Sequence, residues 1–217
     1  MDVSLPVLTA TNLSCQKQDR CLFSALDLSV ETGELVHLTG PNGAGKTSLL
    51  RILVGLSQPD TGQVILTSDN RLPVLYLGHK LALNKHLTAI ENLTFWLQLH
   101  QPYLTSTLAN LLTCSTSMSD YLYQILARFS LVGLEDVPVG HLSAGQQRRV
   151  SLARTQLVEA ALWVLDEPYT SLDVAGVAFI QAQVDAFVER GGAVLMTSHQ
   201  PLQSRLKVRN VVLEYQL

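Results

Sequence analysis

Apolar residues follow two rhythms along this chain. Leu26, Leu28 and Val30 alternate with polar or small neighbours, which predicts a half-buried strand. Thr32-Gly33 predicts a turn, and Leu35 to Leu38 a short strand ending at Gly40. From Lys46 the period becomes helical: Leu49, Leu50, Leu53 and Val54 share a face, and Gly55 is a natural stop. Gln63 to Thr67 and Val74 to Leu77 follow as strands. Thr88 with Glu91 has the capping-box spacing, so a helix begins there and carries Leu93, Trp96 and Leu97 inward. Helical patterning resumes at Tyr121, stops near Gly133, and opens again at Ser143. Ala161 to Leu165 and Ala193 to Thr197 are short apolar runs, as expected of central parallel strands covered on both faces. A helix from about Asp173 to Arg190 lies between them, and Val211 to Tyr215 forms a last strand. This alternation predicts an α/β protein with a mostly parallel sheet.

Composition sharpens the picture in a few places. A chain of 217 residues suits one domain, or one with an inserted lobe. Charged residues are only 15%, against about 25% in typical soluble chains. Either a partner covers part of the surface, or a large core is wrapped in polar loops. From Asn92 to Ser119 there is no Asp, Glu, Lys or Arg, and the part after Pro102 reads as a loop or an inserted weak helix. The net charge of -3 argues against binding to nucleic-acid backbone, which needs clustered Lys and Arg. No apolar run approaches the roughly 18 residues that cross a bilayer. Met1 to Ala10 has no basic residue ahead of an apolar stretch, unlike a secretory signal. Cys15, Cys21 and Cys114 match no metal spacing and read as reduced thiols. The expectation is a soluble, cytoplasmic protein that can sit against a membrane.

The chemistry lies at three places. Gly40-Pro41-Asn42-Gly43-Ala44-Gly45-Lys46-Thr47 fits G-x-x-x-x-G-K-[ST] between a strand and a helix. Such a loop turns successive N–H groups onto phosphate oxygens, and the helix dipole adds positive charge. Lys46 would reach the β- and γ-phosphates, and Thr47 would offer its hydroxyl to Mg²⁺. Leu162-Trp163-Val164-Leu165-Asp166-Glu167-Pro168 is an apolar strand delivering carboxylates to the sheet rim. There Asp166 would hold Mg²⁺ through water, and Glu167 could orient or deprotonate the attacking water. Ser143-Ala144-Gly145-Gln146 opens a helix with an N-cap residue and small neighbours, so an anion can approach its end.

Together, in this order, these motifs resemble the nucleotide-binding subunits of ABC transporters. The resemblance implies a P-loop NTPase core with a mostly parallel sheet, an antiparallel β subdomain and an inserted helical subdomain. It implies one ATPase domain over 1–217, with the core at about 1–85 and 150–217 and the helical subdomain at about 86–149. In that family the residues matching Ser143 and Gly145 contact the γ-phosphate of ATP held by the opposite subunit. Ala144 replaces a glycine of the usual signature, and Gln146 completes it. Ser171-Leu172-Asp173 matches the D-loop, and His199 the switch histidine. Where the family carries a glutamine after a Tyr-containing strand, this chain has Tyr76-Leu77-Gly78-His79. His79 therefore stands in that place. The family's adenine-stacking aromatic is replaced by Gln16-Lys17-Gln18, leaving Phe23 as core or substitute.

Gly78-His79, Leu134-Glu135-Asp136-Val137-Pro138, the signature run through Val150 and His199-Gln200-Pro201-Leu202 narrow the resemblance. They are similar to ATP-binding subunits of the bacterial cytochrome c maturation system, described as haem exporter ATPases. That resemblance implies ATP and Mg²⁺ as cofactors, a head-to-tail pair with a second copy, and a membrane-embedded permease partner. It also implies a peripheral position on the cytoplasmic face of the inner membrane. Haem export and release of a haem-loaded carrier both remain open, as does transport of another small substrate.

Overall fold

The computed structural model describes residues 6–18, 20–67, 72–105 and 118–214. The chain divides into two compact units. The first comprises Met1–His79, Ala161–Pro168 and Ala178–Leu217; the second comprises Lys80–Ala160 and Tyr169–Val177.

The first unit carries two sheets. Strands β1 (Pro6–Lys17), β2 (Arg20–Glu31) and β4 (Thr61–Leu66) form an antiparallel sheet in the order β2-β1-β4. Strands β3 (Leu35–Thr39), β5 (Val74–Leu77), β6 (Leu162–Leu165), β7 (Ala193–Thr197) and β8 (Val208–Val212) form a parallel sheet ordered β5-β6-β7-β3-β8. Every residue of β6 and β7 is buried, which is why these strands are apolar on both faces.

Two strands depart from the sequence pattern. β1 is hidden from it because Leu8 and Ala10 are buried, then pairing shifts between Ala10 and Leu13, with Asn12 at a φ of 52°. This bulge breaks the two-residue alternation before Leu13 and Cys15 turn inward. The last strand runs over Val208–Val212 rather than Val211 to Tyr215. It is an edge strand registered on β3, and Arg209 is ion-paired with Glu34, so no apolar run marks it. Tyr215 lies outside the described residues.

Helix α1 (Lys46–Leu53) buries Leu49, Leu50, Ile52 and Leu53 in one core with Val36, Leu38, Val164 and Leu195. Each such side chain contributes roughly 1.5–3 kcal/mol. Phe23 is 1% exposed in the same core, so it packs and does not face a ligand.

In the second unit are α2 (Ala89–Leu99), α3 (Met118–Arg128) and α4 (Ala144–Ala153). The capping box at Thr88 and Glu91 is present. Leu93 and Leu97 are buried, while Trp96 is half-buried. α4 runs unbroken through residue 150. Just past its end, Arg154 donates to the carbonyls of Leu81 (3.0 Å) and Ala82 (2.9 Å). These ties lie within the unit, whose segments are Lys80–Ala160 and Tyr169–Val177. Helix α5 (Val174–Glu189) spans both units. The chain makes a short 3-10 turn over Gln101–Tyr103, and Leu104 bridges Val158. Residues 106–117 of the uncharged segment lie outside the described residues.

Candidate active site

Four adjacent strands of the parallel sheet end in candidate residues. In the order β5-β6-β7-β3 they lead to His79, to Asp166 and Glu167, to His199, and to the loop Gly40–Thr47. The crevice beyond carboxyl ends of strands is where such sheets bind ligands.

The loop's shape depends on its glycines. Gly40 has a φ of 142°, and a Cβ there would lie 2.2 Å from the Leu213 carbonyl oxygen. Gly43 and Gly45 are also left-handed. Lys46 Nζ donates to the carbonyls of Gly40 (2.6 Å) and Pro41 (3.1 Å), which holds the ammonium over the loop. No described side chain caps α1 at Gly45, and its first turn has no acidic residue. Its N–H groups and dipole therefore suit an anion, and the cradle fits a phosphate chain.

Asp166 is 1% exposed. Its Oδ2 accepts from Thr47 Oγ1 (2.9 Å) and its Oδ1 from Thr197 Oγ1 (3.0 Å). Its own N–H donates to Leu77 O (2.8 Å). Donating that hydrogen leaves the Thr47 lone pairs available to a cation, and both carboxylate oxygens keep a lone pair to orient water on it. A hydroxyl and one carboxylate are hard oxygen donors of the kind Mg²⁺ takes alongside phosphate. The residues thus fit Mg²⁺. Burial, and after it the Asp166 charge, raise the phenol pKa of Tyr76 above its ordinary value.

Glu167 has a φ of 53°, sparsely populated for a side-chain-bearing residue. Its N–H donates to Thr197 Oγ1 (2.8 Å), and its Oε1 lies 3.4 Å from Nε2 of His199. The carboxylate is mostly buried, whereas the histidine side chain is 61% exposed. His79 is exposed beyond Gly78.

Ser143, Ala144, Gly145, Gln146 and Asp173 belong to the second unit. Ser143 Oγ accepts from Gln146 N (3.2 Å), and Gln146 Oε1 accepts from Ser143 N (2.8 Å), a full capping box. Accepting that bond leaves the exposed Ser143 hydroxyl its own hydrogen to donate. A Cβ on Gly145 would lie 2.5 Å from Ser171 O, so only glycine allows this approach. Asp173 accepts from Gly176 N (2.9 Å) and Arg149 Nη2 (2.6 Å). The Gly176 amide above all, then the Arg149 guanidinium, hold its carboxyl below the ordinary pKa.

The ABC transporter family profile matches residues 23–170. The chain belongs to that family. It is 43% identical over 205 residues to the cytochrome c biogenesis ATP-binding export protein CcmA of Pseudomonas fluorescens (strain Pf0-1), covering 91% of this chain and 90% of that protein. Against CcmA of Escherichia coli (strain K12) it is 41% identical over 216 residues, with 95% and 96% covered. Among solved structures, the dimeric post-hydrolysis state of the ATP-binding cassette MJ0796 bound to ADP and Pi matches with a TM-score of 0.77. It is 21% identical over 97% of each chain and supports the fold. The cassette is therefore an ATP-hydrolysing transporter subunit with an ABC ATPase fold.

Two residues of the cassette escaped the sequence reading. Thr197 sits at the end of an otherwise wholly apolar strand, and that single polar residue beside the site was the available signal. Arg154 is 3% exposed, yet on a polar helical stretch it reads as surface.

Proposed function

We propose that this chain is the ATPase subunit of an ABC complex for c-type cytochrome biogenesis, driving haem export or release of a haem-loaded carrier with a membrane-embedded permease of the maturation system. Identity of 41–44% over more than nine-tenths of the chain to proteins carrying that name supports the reading. The contacts joining Thr47, Asp166, Thr197, Glu167 and His199 support the chemistry.

In this reading the Gly40–Thr47 loop holds the ATP phosphates, and Lys46 binds the β- and γ-phosphate oxygens. Thr47 would hold Mg²⁺ directly and Asp166 through water, and the ion would supply positive charge to the phosphate oxygens. Glu167 takes a proton from the water that attacks the γ-phosphorus, and ADP and phosphate leave. His199 contacts the γ-phosphate; His79 stands where the family's glutamine would. Ser143, Ala144, Gly145 and Gln146 serve the ATP of a second copy, with Asp173 in the D-loop. Two copies pair head to tail, and ATP favours the closed pair because the second copy's contacts to the γ-phosphate, through Ser143 and Gly145, exist only there. Among the described residues no helix is long and apolar enough to cross a membrane. The subunit works peripherally, on the cytoplasmic face of the bacterial inner membrane.

The test is covalent haem in c-type cytochromes, read by haem-stained gel in a null strain complemented with wild type or Lys46→Ala. Loss in the null and rescue by wild type alone is the expected result. Unaffected c-type cytochromes would leave an ABC ATPase with another cargo.

A further inference from the structure

We infer that Thr197 is a positioning residue that locks the two acidic residues of the site to the strand carrying the switch histidine. β7 lies between β6 and β3, so its end stands between the strand delivering Asp166 and the one delivering the phosphate loop. Thr197 pairs with Leu38 of β3, and the preceding Met196 with Leu165 of β6. Its side chain is 0% exposed, and a hydroxyl buried there needs partners.

It finds two, and both are catalytic candidates. The hydroxyl hydrogen goes to Asp166 Oδ1 (3.0 Å), and the oxygen accepts the Glu167 N–H (2.8 Å). The first bond fixes the carboxylate plane, so that Oδ2 meets Thr47. The second satisfies the amide of a residue held at a φ of 53°, a conformation that persists only where surrounding contacts impose it. Two residues further on, His199 approaches the Glu167 carboxylate. Glu167 is thus gripped twice by one segment, through its backbone by Thr197 and through its side chain by His199. Ser198 steadies that segment: its carbonyl lies 3.3 Å from the buried His37 ring, and its Oγ accepts from Gln200 N (3.0 Å). Movement of the His199 turn therefore reaches Asp166 and Glu167 directly.

This rests on the assignment of Asp166 and Glu167 proposed above, and the test separates the two. Thr197→Val keeps the shape and removes both bonds; Thr197→Ser keeps the hydroxyl; Thr197→Ala is read in the same way should Thr197→Val fail to fold. Three quantities are measured: backbone amide exchange of Glu167 in the nucleotide-free protein, Mn²⁺ affinity of the protein–ATP complex by electron paramagnetic resonance, and ATP affinity in EDTA. Removing a group that orients a metal-binding carboxylate lowers metal affinity about 10–100-fold. Thr197→Val should do so, and should speed Glu167 exchange while leaving ATP affinity in EDTA unchanged. Thr197→Ser should recover both. Unchanged Mn²⁺ affinity and exchange in Thr197→Val would overturn the inference. Asp166→Asn is the control. If it binds Mn²⁺ normally, the Asp166 assignment itself fails; if it loses Mn²⁺ while Thr197→Val does not, only the role of Thr197 fails.

Discussion

Arg154→Met tests how the second unit holds the segment that follows His79. The guanidinium is buried, forks onto the carbonyls of Leu81 and Ala82, and lies 4.5 Å from the Trp96 ring centroid. Removing it loses two hydrogen bonds from a charged donor, at about 1.5–3 kcal/mol each, leaving the Leu81 carbonyl only the 3.4 Å contact from Ser151 Oγ, and loses a desolvated cation–π contact of about 1–2 kcal/mol. The opposing effect is relief of the buried charge. Burial lowers the Arg154 pKa to about 10 from the usual 12.5. That depression corresponds to about 3 kcal/mol of destabilised charge. The carbonyl and ring losses outweigh it, and the variant should lose roughly 1–3 kcal/mol. For a chain of this size that lowers Tm by about 3–10 °C. Thermal unfolding by circular dichroism reads the total, and amide exchange should rise specifically over residues 81–84. A Met variant melting at or above wild type, with exchange there unchanged, would show that the carbonyls do not depend on Arg154.

Three further predictions concern the chemistry. Glu167→Gln should bind ATP normally and hydrolyse it about 10²–10⁴-fold more slowly, the usual worth of a positioned base; near-normal turnover in the purified variant would reject Glu167 as that base. Lys46→Ala removes the ammonium held over the phosphate loop and should abolish tight nucleotide binding, which equilibrium dialysis measures directly. Ser143→Arg should block hydrolysis while sparing binding, because in the proposed head-to-tail pair the signature serves a second copy's ATP. A Ser143→Arg protein with wild-type turnover would count against the composite site.

Residues whose role is set by local pattern were readable from the chain. The phosphate loop announces itself by glycine spacing, the buried strands β6 and β7 by continuous apolar runs, and the helix starts at Thr88 and Ser143 by their cap residues. The features that escaped depend on pairings distant in sequence. The bulge at Asn12 disguises β1 because its register is decided by β2 and β4. β8 has no apolar signature because its pairing with β3, and not burial, defines it. Asn92, on a largely apolar helix, and Arg154, after a polar one, are polar side chains that periodicity assigns to the surface. Each is buried by hydrogen bonds to loop carbonyls that no periodicity reveals. Thr197 belongs to the same class, since its partners come from the end of β6.

The strand order also governs how the protein comes into being on the ribosome. β3, which launches the phosphate loop, has both its neighbours, β7 and β8, near the far end of the chain, and Gly40 is seated against Leu213. A nascent chain therefore carries its nucleotide motif for most of synthesis without the strands that shape it. At about 5–20 residues per second that wait lasts on the order of ten to thirty seconds. Throughout it, β3 exposes two unpaired edges, a template for pairing with the wrong chain. ATP can therefore act as a folding ligand only once those strands have emerged.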